Sequence, residues 1–536
     1  MRPSRCSRAS TTTAVATLVL LAALPCAGGR AALSAQESYD VLIRNGRVLD
    51  GSGNPWIRAD VALAGDRVAA VGDLRDARAR VVVDAEGLYV APGFIDAHSH
   101  AGGGLATPGL SHARPLLAQG VTTVFVNPDG GGPVDLAAQR DSLVRDGLGV
   151  NVALLVPHGS VRGEVLGAAD RAPTPSELER MKALVRAGME AGAFGLSSGP
   201  FYAPGSFAKT DELVALAKVA AESGGAYTSH IRDESDYGIG LLAAVEEVIT
   251  VARETGWPGV VTHAKALGPP VWGFSQAIVH RVERAREEGV QVFADQYPYT
   301  ASATGLSAAL LPRWAQAGGG DSLRARLADP STRARIRAEM VENLARRGGA
   351  DRIQFRRFRE DPSIEGRTLE DVARANGRHP IDEALALLEA GGPSIVSFNM
   401  HEEDVRTLMR QPWTMTASDG DLVPMGEGVP HPRSYGTFSR KLQRYVVEEG
   451  VIDLASAIRS MTSLPATVFH VEGRGVLRPG AVADVVVFDL GRVREVGTYS
   501  DPHHLSDGMV HVFVNGQAAV HDGEFTGAMA GRVLSR

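Results

Sequence analysis

The sequence predicts an α/β fold: a (β/α)8 TIM-type barrel that carries a β-sandwich built from both termini and a subdomain inserted between barrel strands 7 and 8. Three observations lead there. Between residues 94 and 418, eight short apolar runs alternate with helical segments, the pattern of a parallel sheet. Short strands of alternating polarity cluster near both ends of the chain. One interval, after the seventh apolar run, is far longer than the others. With 536 residues, 44% hydrophobic and 22% charged, the chain has the length and composition for a large barrel plus a companion domain.

The first element is not part of that fold. Arg2, Arg5 and Arg8 precede an apolar stretch over 14–24, and small residues follow up to Ala35. This pattern predicts a secretory signal peptide over 1–34, too short to span a bilayer, and hence an exported (periplasmic or secreted) protein. Leu24-Pro-Cys26 is a poorer match to a lipoprotein site, because proline precedes the cysteine. Both cysteines, Cys6 and Cys26, lie in this leader, so the mature chain is expected to rely on its core rather than on disulfides. A metal site in it must use His, Asp, Glu or modified Lys. The leader holds four arginines and no acids, so its removal makes the formal charge four units more negative than −7. An acidic body without a basic run argues against nucleic acid as a partner. No later stretch reads as transmembrane, and nothing in the sequence sets an oligomeric state.

Residues 35–90 supply strands at 39–50, with an Asn45-Gly46 turn, and at 60–63, 67–72 and 81–84. A matching set at 483–489, 509–516 and 518–520 belongs to residues 474–536, and the two sets together form the β-sandwich. The barrel then occupies 91–473. Its strands are expected at 94–98, 121–126, 152–156, 193–197, 226–230, 259–263, 291–295 and 414–418, with helices such as 177–191, 211–223 and 239–255 between them. The long interval holds an insertion at about 318–395, whose arginine-rich stretch 322–347 reads as a solvated helical face.

The chemistry collects where the strands end, which in this fold is where working residues sit. His98 and His100 are one residue apart at the end of the first strand, and in extended chain residues i and i+2 point the same way. An isolated His-x-His is equally a pair of loop histidines. Here, however, His230 closes the fifth strand, His263 closes the sixth, and Asp419 follows the eighth. Asp129 follows the second, in Asn127-Pro-Asp-Gly-Gly-Gly132. Imidazoles and carboxylates are the ligands of Zn²⁺ when sulfur is absent, so one or two divalent ions, with zinc the first choice, are expected there. Lys265 lies two residues beyond His263 on the same strand face and is a candidate for a substrate carboxylate. Arg433 follows Pro432 and either forks a carboxylate or braces the eighth loop.

These residues sit in an ordered series of motifs. Among them are Pro92-Gly-Phe-Ile-Asp-Ala-His-Ser-His100, Gly120-Val-Thr-Thr-Val124, His158-Gly-Ser-Val-Arg162 and Gly195-Leu-Ser-Ser-Gly199. Further along come Ser229-His-Ile-Arg-Asp-Glu234, Thr262-His-Ala-Lys265, Asp295-Gln-Tyr-Pro-Tyr299, Ser418-Asp-Gly420 and His431-Pro-Arg-Ser-Tyr-Gly-Thr-Phe438. The chain resembles the amidohydrolase superfamily and, within it, the D-aminoacylases (N-acyl-D-amino-acid deacylases), over nearly everything after the leader. The resemblance implies one metal position at His98, His100 and Asp419 and another at His230 and His263. Where such proteins place a cysteine ligand after the second strand, this chain has Asp129, which either bridges two cations or simply opens the turn into three glycines. The fourth strand has no lysine for a carboxylated bridge. Asp419 is the candidate acid–base residue, or else a plain ligand. The resemblance also implies that Tyr297 contacts the substrate carboxylate, with Ser302 or Thr304 nearby. His158 orders the mouth or touches substrate, while Asp233 and Glu234 orient imidazoles. The implied activity is hydrolysis of a linear, non-peptide amide C–N bond in a small molecule, an N-acyl-D-amino acid. A related hydrolase of cyclic amides or unusual dipeptides and a non-catalytic ligand-binding barrel are the alternatives.

Overall fold

The computed structural model describes residues 38–536, so the leader predicted over 1–34 lies outside the described residues. Eight parallel strands build the central wall: Phe94–Asp96, Val121–Val126, Asn151–Leu154 continuing as Val156–Pro157, Gly195–Ser198, Ala226–Ser229, Gly259–Val261, Val292–Gln296 and Thr414–Thr416. They pair in that order. The wall closes on itself where the last strand meets the first. Ala97 N–H donates to the Thr416 carbonyl (3.4 Å), Asp419 N–H to that of His98 (2.8 Å), and His100 N–H to that of Gly420 (2.9 Å). The Asp96 carboxylate reinforces the seam by accepting the Ser418 N–H at 2.8 Å.

Burial on both faces explains why these strands read as near-continuous apolar runs: every residue of Val121–Val126 is buried, and all six are β-branched or aromatic. Ile95, Phe125, Ala153, Phe194, Val260 and Met415 fill the barrel interior. Phe469 plugs one end of it, its ring stacked 4.1 Å from that of Phe125. Outside, helices such as Pro175–Glu190 turn Met181, Val185 and Met189 inward. That helix starts where the sequence says it must, with Pro175 in its first turn and a reciprocal Thr174/Glu177 capping box.

Strands from both termini join in a single nine-stranded sheet. Tyr89–Pro92 pairs with Ser38–Val48 on one side and with Val485–Phe488 on the other, stitching the two ends of the chain together. The sheet curls until Val68 N–H reaches the Ala481 carbonyl at 2.8 Å, enclosing Ile43, Val61, Leu63, Val485, Val487 and Phe513. Asn45-Gly46 departs from expectation. It is not a hairpin turn but a bulge within Ser38–Val48, where a side chain on Gly46 would run into Val90.

Between the seventh and eighth barrel strands, Ser302–Gly305, Ile353–Arg357 and Ser394–Ser397 form a separate antiparallel sheet. Together with helices Pro330–Arg346 and Pro380–Glu389 it builds a second core around Leu306, Ile336, Met340, Phe355, Leu369 and Ile395. Among the described residues, no helix is long and apolar enough to cross a membrane.

A buried polar knot ties the terminal sheet to the barrel. Asp484 pairs with Arg474 and accepts from Asn515 N–H (2.7 Å) and from Asn151 Nδ2 (3.2 Å) at the start of the third barrel strand. Asp484→Ala would strand a buried guanidinium, and removing one partner of such a pair costs about 3–5 kcal/mol. Urea denaturation of this variant is expected to show a loss of that size; a change below about 1 kcal/mol would mean the knot is dispensable.

Candidate functional site

Six side chains meet at the ends of five different barrel strands, around one carboxylate. Asp129 Oδ1 lies 3.3 Å from His98 Nε2 and 3.4 Å from His263 Nε2. Its Oδ2 lies 3.4 Å from His100 Nε2 and 3.6 Å from His230 Nδ1. Asp419 Oδ1 lies 3.1 Å from His100 Nε2 and 3.6 Å from His98 Nε2. The result is two overlapping groups, His98–His100–Asp129–Asp419 and Asp129–His230–His263, with ligand atoms in each within 4.8 Å of one another. The six predicted ligands therefore converge, and Asp129 is common to both groups.

His98 Nε2, both ring nitrogens of His230, and Asp129 Oδ1 are buried without a hydrogen-bond partner. Buried polar atoms are ordinarily satisfied, and orphans gathered in one place mark a missing partner. A divalent cation suits this set, since imidazole and carboxylate donors match zinc.

The backbone is bent to make the arrangement. Asp129, Asp419 and His263 have φ of 56°, 50° and 35°, values that cost energy for residues with a Cβ and that persist where the surroundings enforce them. Gly130 is required beside Asp129: at φ 71° it approaches Gly159 and Gly199 so closely that a Cβ would lie 2.9 Å from the Gly159 nitrogen.

A second ring of groups fixes the imidazoles. Glu234 Oε1 lies 3.2 Å from His263 Nδ1 and also receives the Lys265 ammonium; Oε2 lies 3.6 Å from His230 Nε2. Lys265 is thus not free beside the site, with its Nζ also 2.7 Å from His263 Nδ1. Arg433 Nη1 pairs with Asp419 Oδ2 at 2.8 Å, and its guanidinium sits 4.7 Å over the Tyr297 ring. The Tyr297 hydroxyl points at Met400 Sδ, 3.6 Å away. Burial opposes ionisation of Asp419, but Arg433 and the surrounding imidazoles overcome it and hold the carboxyl well below its usual range. Burial likewise opposes protonation of His100 and His263; the facing carboxylates win and lift them to about 10 and about 9. His230 goes the other way, its charge disfavoured chiefly by burial.

These groups floor a cavity of about 650 Å³. Ser302 lines it with its hydroxyl on Asn399 Oδ1 (3.1 Å), and Thr304 with its hydroxyl on Tyr202 (3.4 Å). His158 spends Nε2 on Glu212 at 2.9 Å, ordering the mouth. Asp233 does not touch an imidazole. Its carboxylate collects the N–H groups of Ser235, Tyr237, Gly238 and Gly240 and shapes their loop.

Sequence reasoning missed two features of the lining. Tyr202, whose ring lies 4.6 Å from that of His230, follows the fourth strand, and the strand-end rule points to it. Arg347 was read as part of a solvated helical face, yet it is buried at 1% exposure and lines the cavity. The other arginines along 322–347 face solvent or half-face it, so no pattern in the sequence singles it out.

The amidohydrolase family profile matches residues 81–520. D-aminoacylase from Alcaligenes xylosoxydans xylosoxydans is 34% identical over 94% of this chain and 99% of its own length. The chain belongs to the D-aminoacylase family of amidohydrolases. N-acyl-D-glutamate deacylase from the same organism is 36% identical, over 94% and 97%. Among solved structures, this amidohydrolase matches an N-acyl-D-glutamate deacylase from Bordetella bronchiseptica, crystallised with zinc and a phosphonate mimic of the tetrahedral intermediate. That match has a TM-score of 0.80 and 35% identity and covers 93% of this chain and 100% of the other. The amidohydrolase keeps the α/β barrel of these relatives and is a metal-dependent hydrolase of non-peptide C–N bonds.

The raised imidazoles give a pH signature. A proton held at about 10 and about 9 in the folded, metal-free protein against an ordinary 6.5 stabilises it fully below pH 6.5, and that contribution is lost as pH rises through 9 and 10. Metal-free protein is therefore expected to lose stability steadily over that window. An imidazole that holds a cation must be unprotonated, so zinc uptake at pH 7.5 is expected to expel protons, measurable by calorimetry in buffers of different ionisation enthalpy. Buffer-independent heats would contradict this.

Proposed function

We propose that this chain is an exported enzyme that removes the acyl group from N-acyl-D-amino acids. Its export is supported by the arginine-flanked apolar leader over residues 1–34. Its substrate class is supported by full-length similarity to D-aminoacylase and N-acyl-D-glutamate deacylase. The observation that carries the chemistry is the convergence of four imidazoles and two carboxylates, several of their atoms buried and unpartnered, on the floor of a cavity. One or two divalent ions, zinc first among them, held by His98, His100, Asp129, His230, His263 and Asp419, would activate water and polarise the scissile carbonyl.

The protein groups divide the remaining work. Asp419 stands with Oδ1 toward the imidazoles and Oδ2 fixed by Arg433, an orientation in which it can accept a proton from attacking water and pass it to the departing amine nitrogen. Arg433 keeps this carboxyl ionised, so its oxygens are free of a proton when water attacks. Tyr297 and Arg433 lie beside Asp419 and are the groups for the substrate α-carboxylate, since that carboxylate is borne by the carbon attached to the scissile nitrogen. Lys265 steadies His263 and Glu234 and extends the same positive wall.

The test is zinc quantification on purified mature protein together with turnover of N-acetyl-D-, N-acetyl-L- and cyclic amide substrates. Linear N-acetyl-D-amino acids are expected to be hydrolysed fastest, with activity lost on chelation and restored by zinc. Faster opening of cyclic amides would transfer the site to a different reaction. Asp419→Asn is expected to lower kcat roughly 10²–10⁴-fold, the span of general acid–base contributions, and a variant with full rate would remove the assignment.

A further inference from the structure

Four cationic side chains other than histidine line the cavity, and four carboxylates do. Three pairs cancel. Lys265 is taken by Glu234, Arg433 by Asp419 at 2.8 Å, and Arg356 by Asp421 at 2.6 Å. The fourth carboxylate, Asp129, is surrounded by imidazoles. Arg347 is left over, with no carboxylate partner among the described residues.

Its hydrogen-bond partners are neutral. Nε donates to the Ala309 carbonyl at 3.4 Å. Nη1 donates to Asn399 at 3.2 Å when that amide turns its nitrogen to the Ser397 carbonyl, the orientation that satisfies both ends. A guanidinium offers five N–H donors, so these two bonds leave most of its capacity unused. Arg347 follows the helix Pro330–Arg346, and the arginines of that helix point elsewhere: Arg333 to Glu389, Arg335 to Glu339, Arg337 to Asp382 and Arg346 to Asp236. A second cation, Arg313, lies close by, with Asp233 the carboxylate that favours its charge. Arg313 stacks 4.0 Å over the ring of Phe201, which lines the cavity; burial, together with the charge of Arg347, draws Arg313 down to about 10. Burying charge without a counter-ion is costly, and a guanidinium so placed against the cavity creates a site that a carboxylate would neutralise.

We propose that Arg347 receives a second carboxylate of the substrate, so that the preferred N-acyl-D-amino acid carries an acidic side chain, as in N-acyl-D-aspartate or N-acyl-D-glutamate. This rests on the deacylase reading above and narrows it. The α-carboxylate goes to Arg433 and Tyr297 beside Asp419, whereas Arg347 enters the same cavity from the inserted subdomain. Overall similarity does not make the choice, because the relatives for D-amino acids at large and for D-glutamate are 34% and 36% identical to this chain. The unpaired arginine does.

The experiment compares kcat/KM for N-acetyl-D-glutamate, N-acetyl-D-aspartate, N-acetyl-D-leucine and N-succinyl-D-leucine, using zinc-loaded wild type, Arg347→Gln and Arg347→Lys. Wild type is expected to favour an acidic side chain over leucine by at least roughly tenfold. The acidic-to-leucine ratio should fall on the order of 100-fold in Arg347→Gln and recover in part in Arg347→Lys, the size expected when a buried charged hydrogen-bonding group loses its partner. An unchanged ratio, with all substrates declining together, would place Arg347 on the α-carboxylate and overturn the proposal. So would an Arg347 dependence confined to N-succinyl-D-leucine, where the extra carboxylate is on the acyl group. Wild type that prefers leucine overturns it without any variant. If no member of the panel is hydrolysed, the deacylase reading falls and this one with it; if leucine is hydrolysed and the acidic substrates are not, only this one falls.

Discussion

The arrangement depends on one crowded carboxylate. Asp129 stands within 3.3–3.6 Å of four imidazoles that come from three separate strand ends. Nothing local to residue 129 could assemble those partners. They are brought together by barrel closure, and the closing contacts run through the same residues: the seam bonds involve the backbones of His98, His100 and Asp419 themselves. Fold and site are therefore one construction here. The left-handed backbone of Asp129 and Asp419 is the local cost, held in place by the packed glycines and by Ser418 on Asp96.

Around this hub the charges are arranged in alternating shells. Imidazoles surround Asp129; Glu234 and Asp419 flank the imidazoles; Lys265 and Arg433 neutralise those acids. Each shell limits how far the one inside can move or titrate, which is how first contacts at such centres are oriented. Asp295 adds to this from the seventh strand by accepting the His263 N–H at 2.6 Å. Among the described residues, Arg347 is the one lysine or arginine lining the cavity that has no carboxylate partner.

Much of this was legible in the sequence because the barrel strands are buried on both faces. Strand 121–126 appears unchanged as Val121–Val126, and the expected 226–230 and 259–263 differ from Ala226–Ser229 and Gly259–Val261 only at the histidine ends, where the chain leaves the sheet. The ligands followed from their position at those ends. What stayed hidden was set by tertiary contact. Asn45-Gly46 has the composition of a turn, but pairing with Ile57–Ala64 absorbs it as a bulge. Lys265 was placed on the correct face, yet only the structure brings Glu234 to its ammonium. Arg347 lies among arginines that meet solvent or surface acids, whereas the residues it hydrogen-bonds, Ala309 and Asn399, are distant in the chain.

The most direct test of the account is anomalous scattering at the zinc edge from crystals of the protein grown with zinc. The account places a peak between Asp129 and the imidazoles of His98, His100, His230 and His263, at the roughly 2.0–2.2 Å ligand distances of zinc. A peak elsewhere, or none among those side chains at full zinc occupancy, would contradict it.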